Sequence, residues 1–247
     1  MGMFLYGRNS IYERLKANPE SIKKIILQEG FDVERIERLI HRHKIPVERT
    51  TLKKLSRIKP AKDLQGIIAE VEPYRYASLD ELLDFSDRRV GLRPGLIFLD
   101  RLNDPQNLGV IIRTAACLGR FNIVIPRYNA CGVTEAVLHV ASGGENYVRV
   151  AEVVNISDAI IRAKEKGYWI IGGVISPEAK DIFNISIPFP VGVVLGSESE
   201  GIRYGVEKHL DIKAKIPMEG AALSLNVAMA CAIFCYEIAR QRLSIYR

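Results

Sequence analysis

Cysteine is scarce in this chain of 247 residues, which contains only Cys117, Cys131, Cys231 and Cys235. No two of them form a C-x-x-C pair. Structural zinc sites normally bring closely spaced cysteine and histidine pairs, so the sequence gives no support for a metal site. We predict that the four cysteines are reduced thiols in the core.

Long apolar runs are also missing. The longest, Ala221 to Cys235, is interrupted by Ser224 and Asn226 and falls short of the roughly 18 residues that suggest a membrane span. The segment MGMFLYGRNSIYERL lacks the basic stretch, apolar run and cleavage site of a secretory signal. We therefore expect a cytoplasmic protein that does not interact with membranes.

Low-complexity tracts and internal repeats are absent, and no G-x-G-x-x-G follows a predicted strand. The missing glycine pattern argues against a nicotinamide-dependent dehydrogenase. Hydrophobic residues make up 48% of the chain and charged residues 26%, which is typical of a globular protein.

Net charge is confined to the first third of the chain. Residues 1 to 77 contain 16 Lys and Arg against 10 Asp and Glu, a net charge of +6, whereas residues 78 to 247 contain 19 of each kind. A basic module beside a neutral one suggests that the first part contacts a polyanion. Lysines and arginines that only keep the protein soluble are an equally good explanation of the charge alone.

The first 77 residues predict a small α/β module. Helical patterns cover residues 9 to 17 and 32 to 44, and strand patterns cover residues 23 to 28 and 66 to 72. A linker from Pro73 to Ser78 and a helical stretch from Leu79 to Phe85 follow. We predict an N-terminal domain at residues 1 to 77, a linker at 78 to 95 and a second domain at 96 to 247.

The second domain alternates strands with helices. Strands are predicted at 96 to 100, 122 to 126, 169 to 174 and 191 to 196, and helices at about 106 to 118, 133 to 141 and 222 to 243. The strands are almost entirely apolar, as in a sheet covered on both faces. The pattern therefore predicts an α/β fold with a largely parallel sheet.

In such sheets ligands bind at the carboxyl ends of the strands, so the loops that follow strands are candidate sites. In the first of three unusual loops, Asp104 can cap a helix that begins with Pro105. Asn103 and Asn107 flank that start, and Arg113 follows in an otherwise apolar helix. Such an arginine needs an anionic or carbonyl partner or must reach water.

The other two loops follow later strands. Residues 193 to 202, VVLGSESEGI, run from a buried strand into a loop with Gly196, Glu198 and Gly201. Residues 216 to 230, IPMEGAALSLNVAMA, predict a strand that passes through Gly220 into a helix whose first turns carry Ser224 and Asn226. Glycines let a backbone approach a ligand closely, and polar groups early in an apolar helix cap it or face a ligand.

Each of these residues, taken alone, has an ordinary structural explanation. Asn103 and Asn107 can be turn and cap residues, Glu198 a solvated acid, Arg113 a member of an ion pair, and the polar pair of the third loop internal packing groups. The order in which the loops occur is more specific than any one of them.

Together, NDPQNLGVIIRTA (103 to 115), LGSESEG (195 to 201) and IPM followed by SLNV (216 to 218 and 224 to 227) resemble the three motifs of the SpoU family of RNA 2′-O-methyltransferases, within the SPOUT superfamily. The N-terminal part is similar to that family's substrate-binding domain, which has a ribosomal L30e-like fold. YGRNSIYERL resembles its opening helix, and LQGIIAEV its closing H-Q-G strand with Leu64 in place of histidine.

The resemblance implies a C-terminal domain with a trefoil knot, an exception to the rule against knotted chains. It also implies a homodimer with the active site near the subunit interface, and S-adenosylmethionine as the cofactor. The implied activity is 2′-O-methylation of a ribose, preferably of a guanosine, in 23S ribosomal RNA. Transfer RNA remains an alternative substrate, and a non-catalytic RNA-binding relative of the same fold an alternative function.

The family's residue roles are carried over only where the motifs match. Cofactor binding is then expected at the set Gly196, Glu198, Ile216, Met218 and Leu225, and catalysis at the set Asn107, Arg113, Glu198, Ser224 and Asn226. An arginine is a poor general base, so we expect Arg113 to act electrostatically while Glu198 or a water accepts the proton. Ala228 replaces a serine that is usual in the family, so a mechanism that needs this serine is in doubt here.

Overall fold

The computed structural model describes residues 2–61, 63–84, 93–197, 200–221 and 223–245. Two sheets organise this part of the chain, one in each predicted domain. The predicted positions Phe85 and Glu198 lie outside the described residues.

The N-terminal module, residues 2–77, has a four-stranded mixed sheet. Its elements are β1 (Met3–Tyr6), α1 (Arg8–Ala17), β2 (Ile22–Gln28), α2 (Glu34–His43), β3 (Val47–Thr50), α3 (Leu52–Ile58) and β4 (Ile67–Val71). The strand order is β1-β4-β2-β3, with β4 antiparallel to both neighbours and β2 parallel to β3. The two predicted helices and two predicted strands are confirmed, whereas β1, β3 and α3 were not predicted.

The C-terminal domain has a seven-stranded sheet in the order β7-β6-β5-β10-β8-β11-β9. All its strand pairs are parallel, which confirms the predicted sheet type. The strands are β5 (Gly95–Asp100), β6 (Phe121–Pro126), β7 (Val150–Val153), β8 (Trp169–Gly173), β9 (Lys180–Asp181), β10 (Val191–Gly196) and β11 (Ile212–Lys215).

Helices cover both faces of this sheet. They are α4 (Leu79–Leu83), α5 (Pro105–Leu118), α6 (Glu135–Ala141), α7 (Ile156–Glu165), α8 (Tyr204–Glu207) and α9 (Val227–Ile245). One set of core side chains joins α5, α6 and α9 to the sheet, and a separate set joins α4, α7 and α8 to it. Because β5 and β10 are covered on both sides, they are almost fully buried, as their apolar sequences predict.

Three expectations for the second domain were wrong. The third loop contains no strand, because β11 ends at Lys215, before Ile216. The last helix begins at Val227 rather than at residue 222, because the side chain of Asn226 caps it by accepting a hydrogen bond from the backbone N of Ala228 at 2.9 Å. Ser224 and Asn226 therefore precede the helix instead of lying in its first turns.

The thiols are only partly in the core. Cys231 and Cys235 are buried one helical turn apart, as expected, but Cys117 is exposed and Cys131 half-buried. Cys117 lies on the outer face of α5, which its sequence period does not reveal. Among the described helices, none is long and apolar enough to cross a membrane.

The two domains meet through buried polar contacts as well as apolar ones. Nη2 of Arg14 in α1 donates to Oε1 of Glu145 at 3.1 Å, and these two side chains are 8% and 0% exposed. The rings of Tyr6 and His139 stack with centroids 4.0 Å apart. A Cβ on Gly143 would lie 2.4 Å from Cβ of Glu13, so this backbone approaches α1 too closely for a larger residue. The N-terminal module is thus packed directly on the C-terminal domain.

Candidate active site

The carboxyl ends of four neighbouring strands, β5, β10, β8 and β11, lie at one edge of the large sheet because the strands are parallel. A cavity of about 690 Å³ opens at this edge. We call it the sheet-edge cavity. The loops after β8, β10 and β11 and the start of α9 form its walls. The position agrees with the general rule for ligand sites in open α/β sheets.

All the described residues that were predicted to bind the cofactor line the sheet-edge cavity. They are Gly196, Ile216, Met218 and Leu225. Ser224, which was predicted among the catalytic residues, lines it as well. Residues from the second and third sequence motifs are therefore brought to one place, although β11 and α8 separate them along the chain.

Gly196 is required by a close backbone approach. A Cβ at this position would lie 1.9 Å from the carbonyl carbon of Gly201, far inside any real contact distance. The loop turns back there: N of Gly201 donates to the backbone oxygen of Ser197 at 2.9 Å, and Gly201 has φ of +65°. The second motif thus encodes a tight turn at the wall of the cavity.

The walls combine apolar and acidic side chains. Among the described lining residues, Leu195, Ile216 and Phe234 supply apolar surface. The charged side chains there are the carboxylates of Asp181, Glu200 and Glu207 and the ammonium of Lys215. Partners outside the cavity offset part of this charge. Lys213 lies 2.7 Å from Glu207, which raises the pKa of Lys213, and Arg101 pairs with Glu200. Asp181 lies 4.0 Å from Lys215, so each of the three carboxylates has a cation beside it and these described side chains carry no net charge together.

Asn107 and Asn226 form a second group beside the cavity. Nδ2 of Asn226 donates to Oδ1 of Asn107 at 2.9 Å, and Asn107 is 7% exposed. Neither residue lines the sheet-edge cavity. Their hydrogen bond joins the first turn of α5 to the start of α9, and so connects the first motif with the third.

Arg113 does not join this pair within one chain. It lies six residues after Asn107 on α5, which separates the two by about 9 Å along the helix axis and about 120° around it. Asn107 is buried, whereas Arg113 is exposed and does not line the sheet-edge cavity. The sequence left two possibilities for this arginine, a polar partner or contact with water, and in one chain its side chain is in contact with water. Asn103 is exposed too.

Asp100 is a buried carboxylate that holds a wall loop of the cavity and that sequence reasoning missed. It ends β5, is fully buried, and its Oδ2 accepts a hydrogen bond from the backbone N of Arg203 at 2.9 Å. Its Oδ1 accepts from Nε of Arg203 at 2.8 Å, and these bonds raise the pKa of Arg203. The contact fixes the far end of the loop that begins at Gly196. A carboxylate at the end of the apolar strand LIFLD is the signal that could have revealed it.

An exposed apolar stripe runs along α9. Met229, Ile233, Tyr236 and Leu243 are 52%, 38%, 61% and 57% exposed and follow one another at helical spacing. Four large apolar side chains on one helix face form a surface of the kind that monomers rarely expose. α9 also packs against α5, the helix that carries Arg113.

Comparison with known proteins agrees with this geometry. Residues 94–236 match the model of the SpoU rRNA methylase family, and residues 4–77 match that of the RNA 2′-O ribose methyltransferase substrate-binding domain. A protein of Bacillus subtilis named as a TrmH family tRNA/rRNA methyltransferase is 32% identical over 97% of this chain and 96% of its own. An uncharacterized tRNA/rRNA methyltransferase of Synechocystis is 40% identical over 76% of this chain, which spans about half (49%) of that longer protein.

Solved structures show the same fold. An rRNA methyltransferase of Sinorhizobium meliloti has a TM-score of 0.79 at 24% identity and covers 98% of this chain and 88% of its own. The SpoU methyltransferase AviRb of Streptomyces viridochromogenes, in complex with AdoMet, has a TM-score of 0.80 at 21% identity. The match covers 98% of this chain and 91% of AviRb. With family models matching both domains, the chain belongs to the SpoU family of RNA methyltransferases and carries that family's substrate-binding domain.

Proposed function

We propose that this protein transfers the methyl group of S-adenosylmethionine to the 2′-hydroxyl of a ribose, preferably of a guanosine, in 23S ribosomal RNA. The observation that carries the proposal is the sheet-edge cavity, whose walls gather Gly196, Ile216, Met218, Ser224 and Leu225 from two sequence motifs. A ribosomal RNA substrate also agrees with a cytoplasmic location, which stays a prediction.

The cavity suits the proposed methyl donor. Its volume of about 690 Å³ lies within the roughly 300–1,000 Å³ common for small-molecule sites. Apolar walls fit an adenine ring, and S-adenosylmethionine when bound would supply an activated methyl group. Ile216 and Leu225 would read the adenine through backbone groups, and Gly196 and Met218 would shape the pocket. Glu198 stays in this set through the sequence resemblance alone.

The chain's own residues must position the ribose and assist loss of its 2′-hydroxyl proton. Arg113 would do both by electrostatics, because a guanidinium beside the oxygen lowers the hydroxyl pKa and one beside the neighbouring phosphate holds the sugar. Glu198 or a water would accept the proton. Asn107 and Asn226 would fix the adjoining helix ends, and Ser224 would contact the reacting groups from the cavity wall.

A homodimer would complete this site. In one chain Arg113 is exposed and does not line the cavity, while the apolar stripe of α9, a helix that packs against α5, is also exposed. A second copy of the chain that covers the stripe would bury it and bring the exposed face of α5 to the subunit interface. Sedimentation velocity at micromolar concentration tests this step, and a monomer under these conditions would contradict it.

Transfer RNA is the second candidate substrate, because the relatives carry both RNA classes in their names. A non-catalytic RNA-binding function is less well supported, since Asn107, Arg113 and Asn226 are all present and the cavity is open. These alternatives differ in which RNA receives a methyl group and in whether any does.

The deciding experiment measures transfer of radiolabelled methyl groups from S-adenosylmethionine to unmodified 23S ribosomal RNA and, in parallel, to unmodified transfer RNA. We expect an alkali-resistant 2′-O-methyl nucleotide in the ribosomal RNA and a loss of at least about 100-fold in kcat for Arg113→Ala, as for other groups that stabilise developing charge. Arg162→Ala is the matched control, because this exposed arginine of α7 pairs with Asp80 and does not line the cavity.

The outcomes separate the candidates. If only transfer RNA is labelled, transfer RNA replaces ribosomal RNA as the proposed substrate. Donor binding without label in either RNA would favour the non-catalytic function, and full turnover by Arg113→Ala would exclude the proposed role of this arginine.

A further inference from the structure

A second cavity, of about 530 Å³, lies in the N-terminal module, apart from the sheet-edge cavity. Its walls come from the start of α1, the turn after β2, the outer side of α3 and the turn before β4. We call it the Arg8 pocket. None of its lining residues belongs to the predicted catalytic or cofactor sets.

One wall of the Arg8 pocket places a guanidinium group beside an aromatic ring. The guanidinium carbon of Arg8 lies 5.3 Å from the centroid of the Phe31 ring. Phe31 is itself held in place, because a Cβ on Gly66 would lie only 3.1 Å from its ring. Nε of Arg8 donates to the backbone oxygen of Gln65 at 3.3 Å, which orients the guanidinium group at the pocket wall, and Arg8 as a whole is exposed. Guanidinium planes on aromatic rings are surfaces on which nucleobases stack.

Other residues that line the pocket offer polar groups that can read a base edge. Gln28 is half-buried and lines the pocket, and within the described part of the chain its side-chain amide has no hydrogen-bond partner. It therefore presents both a donor and an acceptor. Ser56 adds a hydroxyl and Leu52 an apolar surface. At Gly30 a Cβ would meet nothing within 4 Å, so the backbone there is open to a ligand.

Exposed cations lie near the pocket, although the carboxylate of Asp32 is among the lining residues. Lys53, Lys54 and Arg57 are exposed on α3, the helix whose residues 52 and 56 line the pocket, and the module as a whole has a net charge of +6. Phosphate contacts from such residues would hold a nucleic acid against this face without reading its sequence.

We propose that the Arg8 pocket binds one unstacked base from a single-stranded loop of the substrate RNA. A base inside a duplex is stacked on both sides and cannot enter the pocket, whereas a loop base can leave the stack. Arg8 would stack on the base, and Gln28 would hydrogen-bond to its edge. The inference rests on the proposed function only in taking RNA as the substrate.

The packing between the domains gives this pocket a role in choosing the ribose. Because the buried Arg14–Glu145 pair holds α1 on the C-terminal domain, the Arg8 pocket has a fixed position relative to the sheet-edge cavity. A base held in the pocket would therefore set which nucleotide of the loop reaches the active site.

The test measures binding of an unmodified 23S ribosomal RNA transcript to the full chain without methyl donor. We expect Arg8→Ala to weaken binding about 10-fold, within the range measured for loss of one base-stacking contact. Arg8→Lys keeps the charge but not the planar group, so most of that loss should remain. Arg42→Ala removes the same charge from an exposed site on α2 outside the pocket and should change the dissociation constant less than about two-fold.

Gln28→Met provides a neutral test at the same pocket. It keeps a side chain of similar length but removes both hydrogen-bonding groups, so it should weaken binding without altering the salt dependence. Photocrosslinking of a transcript that contains 4-thiouridine should label residues 28 to 32 or 52 to 66. Thermal melts of all variants check that the module remains folded.

Equal RNA binding by Arg8→Ala and Arg42→Ala, or crosslinks confined to other surfaces, would overturn the proposal that the Arg8 pocket binds a base. The methyltransferase proposal would remain intact. Absence of any RNA binding by the unaltered protein would overturn both. If the unaltered protein binds RNA through the Arg8 pocket but transfers no methyl group, only the catalytic proposal is overturned.

Discussion

The two domains differ in where they place their charge and their concave surface. The N-terminal module has the whole net charge of +6 and a shallow pocket on its surface, whereas residues 78 to 247 are neutral overall and form the larger sheet-edge cavity. The difference agrees with the division of labour that we propose, in which the N-terminal module captures RNA by long-range electrostatics and the sheet-edge cavity holds the donor by its shape. Buried contacts between α1 and the C-terminal domain join the two tasks.

The strongest test of this division is Gly196→Ala. The added Cβ would lie 1.9 Å from the backbone of Gly201, so the loop at the cavity wall must move. We expect binding of S-adenosylmethionine, measured by calorimetry, to weaken at least about 100-fold, a loss of roughly 2.7 kcal/mol. RNA binding should be unchanged, because the N-terminal module is untouched.

Gly205→Ala is the matched control, because a Cβ at this helical glycine would meet nothing within 4 Å. It should leave donor binding as it is. A parallel loss of RNA binding in Gly196→Ala would show that the two domains do not divide the tasks.

A second test breaks the contact between the domains. Arg14→Met would leave the fully buried carboxylate of Glu145 without its cation, which costs about 3–5 kcal/mol in comparable cases. Urea denaturation measures this loss in the free energy of unfolding. The double variant Arg14→Met with Glu145→Leu should recover much of it, because no buried charge remains. A loss equally large in the double variant would mean that packing, not charge, joins the domains here.

The smallest expected effect is a pH dependence at the same contact. Burial raises the pKa of Glu145 above its ordinary value of 4.5, although Arg14 opposes the shift. The folded protein therefore keeps this proton to a higher pH than the unfolded chain. The contribution of Glu145 to the free energy of unfolding is therefore fully present below pH 4.5. It is lost as the pH rises through the raised pKa.

Glu145→Gln removes this titration but keeps an amide beside Arg14. In urea denaturation across this pH range, the stability of the variant relative to the unaltered protein should therefore increase with pH. Parallel curves for the two proteins would contradict the assignment.

The elements predicted from sequence are those with a strong period. Amphipathic helices such as α2 and continuous apolar strands such as β5 and β10 follow directly from local pattern. β3 has an exposed, polar sequence, VERT, and is defined only by its pairing with β2. The start of α9 was misplaced because apolar residues before Val227 continue the pattern into a segment that Asn226 separates from the helix.

The candidate site was predictable in composition but not in arrangement. Motif resemblance selected Gly196, Ile216 and Leu225, which meet in one cavity, but no local pattern shows that Arg113 faces solvent. Asp100 was missed because its importance comes from Arg203, a partner 103 residues away. The trefoil knot stays a prediction, since it is a property of the path of the whole chain.

The hydrogen bond between Asn107 and Asn226 spans 119 positions of sequence and has a consequence for the order of folding. Contacts of such long range form late, because loop closure must first be offset by other interactions. During synthesis, domains generally fold from the N-terminus onward. The sheet of the basic module pairs only residues 3 to 71, so it can close before residue 226 leaves the ribosome, while the group of residues that we propose for catalysis is still incomplete. In a nascent chain, RNA capture would precede catalytic competence.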